Sequence, residues 1–210
     1  ISLMQDADIY SIIFSDMELT DDDVFAIADA LKNNSSIGDV DFSQNKISLK
    51  ATNALADMLK VNKRLVSIHF NFCSLSDDAV SIIVSALKNN ISIRTLDLSY
   101  NTFGAKSVLA IADLIRHNKK ISKLHFECIP HENDGYEHIE DALKHNKTIT
   151  DLVLPFPYGR RDKINIYIEQ NKIHQQIASN PTKVDLSLAR NFRLSQAGLK
   201  IAADIIKNDN

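Results

Sequence analysis

A period of 28 residues constrains this chain more than any other feature. It is clearest in Ile93–Asn118, where Ile93, Leu96 and Leu98 precede Asn101, Phe103, Ile111 and Ile115. The first strand slot reads Ile9, Ile37, Leu65, Ile93, Ile121, Ile149, and the second Ile12, Val40, Ile68, Leu96, Leu124, Leu152. The third reads Phe14, Phe42, Phe70, Leu98, Phe126, Leu154, and each unit ends near Asn34, Asn62, Asn90, Asn118 or Asn146. A fixed period held over six units predicts a solenoid of stacked supersecondary units, each covering its neighbour's apolar face.

Composition supports a packed array: 44% of the 210 residues are hydrophobic and 24% charged, far from a disordered mixture. A net charge of -3 leaves no basic excess to neutralise phosphates, which argues against a nucleic-acid partner. No apolar run approaches the ~20 residues that cross a bilayer. No signal peptide is visible, and a start at Ile1 suggests a fragment from which a leader could have been removed. Cys73 and Cys128 fall two units apart, about 10 Å at parallel-strand spacing. That exceeds the disulfide Cα limit of about 7 Å, so free thiols and a reducing, cytoplasmic compartment are expected.

Unit one has a strand at Tyr10–Phe14 and a helix after Thr20, where Thr20-Asp21-Asp22-Asp23 reads as a capping box with Asp for Glu. The same acidic run has a sharper reading as a metal site. Val24, Ile27, Ala28 and Leu31 form the apolar face, and Asn33-Asn34 is expected to stop the helix in the left-handed conformation. Ser48 and Ser76 are expected N-caps, with Gly104 in their place in unit four. Pro130 and Gly135 mark an altered turn in unit five, where His131, Glu132, Asp134, Glu137 and His138 lack the HExxH spacing of a zinc site. Unit six replaces its turn with Pro155–Arg161 and has a longer helix, about 162–179. Val184 and a helix near Ser195–Lys207 read as a seventh unit. The expectation is one domain, 1–210, of about seven units, irregular at 129–135 and 155–183.

Ile93-x-x-Leu96-x-Leu98-x-x-Asn101-x-Phe103, followed by a long helix, resembles the leucine-rich repeat of the ribonuclease-inhibitor subclass over about residues 9–207. The resemblance implies an α/β fold: a right-handed horseshoe with parallel strands on the concave face and helices on the convex face. Asn45, Asn101 and Asn191 fit its asparagine ladder, and Cys73 is a familiar replacement. Met17, Ile129 and Pro157 depart from it, so ladder hydrogen bonds are expected to be lost there. Such repeats occur in ribonuclease inhibitor, the GTPase-activating protein of Ran, tropomodulins, immune receptors and injected bacterial effectors. An abundance of Lys, Ile and Asn suits a low-GC genome and leans towards an effector similar to those of Legionella, acting in the host cytoplasm. The resemblance implies a protein-interaction module, with GTPase regulation and actin capping as alternatives.

Side chains between the apolar strand slots should face the concavity. They form three columns: Asp39, Ser67, Thr95, Lys123, Asp151; then Asp41, His69, Asp97, His125, Val153; then Ser43, Asn71, Ser99, Glu127, Pro155. The second alternates acid and imidazole, which reads either as an exposed polar face of weak carboxylate–imidazole pairs or as a partner surface whose affinity changes between about pH 6 and 7. A fourth column, Gln44, Phe72, Tyr100, Cys128, Phe156, stands just before the ladder position. Its aromatics read either as a contact hot spot or as a stack shielding the turns. Asp39, Asp41, His69, Asn71, Phe72, Thr95, Asp97, Ser99, Tyr100, Lys123, His125, Glu127, Asp151 and Phe156 are therefore the expected partner-binding residues. No Ser/His/Asp set converges and no phosphate-binding glycine loop exists, so neither an enzyme nor a cofactor or metal site is expected.

Overall fold

A computed structural model describes residues 10–102, 104–127, 135–154 and 161–179. Strands and helices alternate: β1 Ser11–Ile13, α1 Asp21–Lys32, β2 Asp39–Asp41, α2 Leu49–Val61, β3 Ser67–His69, α3 Asp77–Leu87, β4 Thr95–Asp97, α4 Ala105–His117, β5 Lys123–His125, α5 Tyr136–His145, β6 Asp151–Val153 and α6 Arg161–Ser179. The strands form one parallel sheet in chain order. Ser11 pairs with Asp39, Asp39 with Ser67, and so on to Asp151, so the register matches the sequence period without slippage. The architecture is a leucine-rich-repeat-like solenoid.

Each strand is only three residues long; the middle residues of β2–β5 (Val40, Ile68, Leu96 and Leu124) are fully buried, and those of β1 and β6 (Ile12 and Leu152) partly so. Helix residues Leu55, Leu59, Ile83, Leu87, Ile111 and Ile115 meet them from the other side. Phe14, Phe42 and Phe70 stack at 5.6 Å through the third apolar slot. Each unit thus buries its apolar stripe only because the next unit is present. α1 has the expected capping box from Thr20 and Asp23, and Ser48 and Ser76 cap α2 and α3. Asp21 is also engaged, accepting from Ser48 Oγ at 2.7 Å, so the acidic run serves helix starts. Among the described residues, no group of three His, Cys, Asp or Glu could hold a metal ion. None of their helices is long and apolar enough to cross a membrane.

Gly104 supplies no side-chain cap for α4; Asp77 of the preceding unit does so instead. Its Oδ1 accepts from Gly104 N at 2.8 Å, Ser107 N at 3.1 Å and the Ser107 hydroxyl. A Cβ on Gly104 would stand 2.6 Å from Asp77 Oδ2, so the missing side chain makes room for the borrowed carboxylate. Burial raises the Asp77 carboxyl's pKa, but the accepted hydrogen bonds outweigh it and hold the group below its ordinary value.

Two expectations need correction. Asn33 closes α1 at φ −113°, not in the left-handed region, and Asn34 acts through its side chain. Its Oδ1 accepts from Ser36 N and Ile37 N, so a polar clamp replaces backbone reversal. The first strand is Ser11–Ile13 rather than Tyr10–Phe14, although Phe14 N still donates to Asp41 O. Gly135 is left-handed at φ 111° and starts α5. Cys128, Ile129 and Pro157, most of both irregular turns and the seventh unit lie outside the described residues.

Candidate protein-binding surface

The sheet brings most of the expected binding residues onto one face. Asp39, Ser67, Thr95, Lys123 and Asp151 align across β2–β6, as do Asp41, His69, Asp97, His125 and Val153. The imidazoles, however, choose partners outside the simple alternation. His69 Nε2 lies 2.8 Å from Ser67 Oγ and 3.5 Å from Asp39 Oδ1, so it pairs with the first column and not with Asp41. His125 lies between two carboxylates, with Nε2 3.1 Å from Asp151 Oδ1 and Nδ1 3.8 Å from Asp97 Oδ2. Asp41 and Asp97 each spend one oxygen on a turn, accepting from Ser43 N and Ser99 N.

Ser99 does not belong to the exposed surface. It is 5% exposed, and its hydroxyl accepts from Glu127 N, so it packs into the turn. Ser43 is buried in the same way. Asn71, between them, keeps a buried Oδ1 with no hydrogen-bond partner. Ile13 was missed: it begins the second column one period before Asp41 and is 68% exposed. Extending the column backwards from Asp41 would have found it.

The aromatic column combines both expected roles. Phe72 and Tyr100 stack with ring centroids 4.4 Å apart and planes within 9°. They nonetheless remain 54% and 48% exposed. The Tyr100 hydroxyl donates to Glu127 Oε2 at 2.9 Å, and that bond with the adjacent carboxylate raises the phenol's pKa. Both backbones are left-handed, at φ 55° and 58°, as are those of Gln44 and Asp16, one and two periods before Phe72. A bulky residue there costs about 1 kcal/mol or more, whereas short polar residues bear it better. Phe156, the next aromatic of the column, lies outside the described residues.

Beneath this edge runs the asparagine ladder. Asn45 Nδ2 donates to Phe14 O, Phe42 O and Ser43 O, while its Oδ1 accepts from Met17 N and Leu19 N. Asn101 repeats this with Phe70, Leu98 and Ser99 as acceptors and Cys73 N and Leu75 N as donors. Cys73 replaces the donor half only, through Sγ to Phe42 O at 3.2 Å. Its thiol is buried and its pKa is pushed up to about 12 by desolvation. Met17 points outward and supplies no such bond, as expected.

The same fold occurs in a leiomodin and in a tropomodulin. A leiomodin-1 structure described as actin-binding site 2 superposes with a TM-score of 0.65, at 22% identity, over 72% of this chain and 91% of that one. The C-terminal domain of a Caenorhabditis elegans tropomodulin matches with a TM-score of 0.62, at 14% identity, over 75% of this chain and 98% of that one. At these identities the likeness establishes the fold alone. No family model and no curated protein matches the sequence.

Proposed function

We propose that this chain is a protein-binding module that receives its partner on the sheet face, with Phe72 and Tyr100 as the anchor. The stacked pair carries this reading. Two large rings remain half exposed at a left-handed slot that polar Asp16 and Gln44 fill in other units. Exposed aromatics beside a polar face are the usual anchors of interfaces. Replacing both by Gln, the residue already accepted at position 44, should keep the fold and remove the partner. Cross-linked capture by the native chain and by the double variant tests this; capture unchanged by the variant would refute it.

A second reading, actin binding, is favoured by the two structural neighbours, whose descriptions name an actin-binding site and a tropomodulin. Co-sedimentation with filaments and filament-elongation assays decide it. GTPase regulation has less support, because the polar side chains of Asn45 and Asn101 are consumed by turn bonds. The composition fits delivery as a bacterial effector into a host cytoplasm, which a translocation reporter fused to the full protein would test.

A further inference from the structure

Charge is divided sharply across the sheet. Among the described residues, its outer face carries the carboxylates of Asp39, Asp41, Asp97, Glu127 and Asp151 against one fixed cation, Lys123. Among the described residues, the helix-to-strand turns along one edge carry Lys63, Arg64, Arg94, Lys119, Lys120 and Lys147 and no carboxylate. The aromatic step rises at the opposite edge, beside Glu127 and next in sequence to Asn71, whose buried Oδ1 lacks a donor. A basic segment is therefore drawn to the acidic face and repelled from the cationic edge.

Resting on the protein-binding reading above, we infer that the occupant of this face is an arginine-bearing basic segment of a partner protein, with a guanidinium seated on the Phe72–Tyr100 step. Two features of the site match a guanidinium better than an ammonium. The nearly parallel rings offer flat π-surfaces for a flat cation. Glu127, held at the end of Tyr100 by its hydroxyl, supplies a carboxylate at the margin of that surface. A guanidinium presents five N–H donors in a plane, so it can lie on a ring and still reach that carboxylate. Asp41 and Asp97 complete the field without leaving the sheet, since one oxygen of each is fixed by a turn amide.

Fluorescent nona-arginine and nona-lysine peptides, titrated into the full chain and followed by anisotropy, separate this recognition from bulk charge attraction. Nona-arginine should bind about tenfold more tightly than nona-lysine, the scale of a desolvated cation–π contact. Phe72→Gln/Tyr100→Gln should abolish that preference, lowering the nona-arginine affinity to that of nona-lysine, which falls less. Asp41→Asn/Asp97→Asn should weaken both peptides together. Thermal melts monitored by circular dichroism establish that each variant is folded. Equal affinities for the two peptides, no binding of either, or an arginine preference that survives the double glutamine variant would each overturn the inference. If the peptides fail but the cross-linked partner still requires Phe72 and Tyr100, the protein-binding reading stands and only its arginine chemistry falls. If that partner is also indifferent to the variant, both fall.

Discussion

At the helix-to-strand turns, Asn62, Asn90, Asn118 and Asn146 repeat one arrangement. Each Nδ2 donates to a helix-end carbonyl of the preceding unit (Leu31, Leu59, Leu87 or Ile115), and each Oδ1 accepts from the two amides leading into its own strand. At the strand-to-helix turns, the corresponding ladder holds at Asn45 and Asn101, is half kept by Cys73 and lapses at Met17. All six left-handed non-glycine residues among those described stand at these second turns. One edge is thus uniform and satisfied, whereas the other varies from unit to unit and holds strained backbone. Fold requirements saturate the first edge and leave the second free to acquire a surface.

The sharpest way to break the contrast is to give both edges the same lesion. Asn90→Cys should lower stability by about 3 kcal/mol, because Ser92 N, Ile93 N and two carbonyls lose buried partners. Asn101→Cys should cost about half as much, since Cys73 shows that this edge tolerates the exchange; Ile47 N there turns to Cys73 O at 3.2 Å. Equal shifts in the urea midpoints of the two variants would remove the asymmetry.

The borrowed cap of α4 should give the next largest effect. Gly104→Ala displaces the Asp77 carboxylate and should cost about 1 kcal/mol, as loss of an N-cap does. Asp77 and Asp113, the latter paired with Lys88, both have depressed carboxyl pKa values. Their contribution is complete above the unfolded carboxylate range of about pH 4 and is lost as pH falls through the lower folded values. Urea melts between pH 6 and pH 3 should therefore show falling stability, with a shallower slope in Asp77→Ala.

Smaller still is the expected stability change in Phe72→Gln/Tyr100→Gln. Gln44 already holds the same left-handed backbone, so the lost stacking sets a net shift within about 1 kcal/mol. A loss well beyond that would make the pair a structural clamp. The smallest effect should come from the imidazoles. His69 faces Asp39 and Ser67, and His125 faces Asp97 and Asp151, with Lys123 two residues before His125. Replacing both imidazoles by alanine should change the affinity for a basic ligand by at most a few fold, measurable by repeating the anisotropy titration with His69→Ala/His125→Ala.

Much of the scaffold was legible because apolar slots, cap residues and asparagines each answer a local requirement that repeats every unit. Register, caps and inward helix faces follow from those slots alone. The site was less legible because side chains cross unit boundaries. Nothing local tells Asp77 to cap the next helix, or sends His69 to Asp39 in place of Asp41. Ser99 looked like Thr95 in the alternation, but the tightening turn draws it inward. Left-handed backbone at Phe72 and Tyr100 is likewise invisible in residue type, since aromatic side chains ordinarily avoid it.

Cys73 turns the core into its own clock. Its sulfur is buried between units two and three and bonded to Phe42 O, with its thiolate suppressed, so an alkylating reagent can reach it only when those units part. The labelling rate at this single atom, separated from Cys128 by peptide mass spectrometry, therefore reads how often the stack opens at that seam. Whatever clasps the neighbouring sheet face should slow that clock.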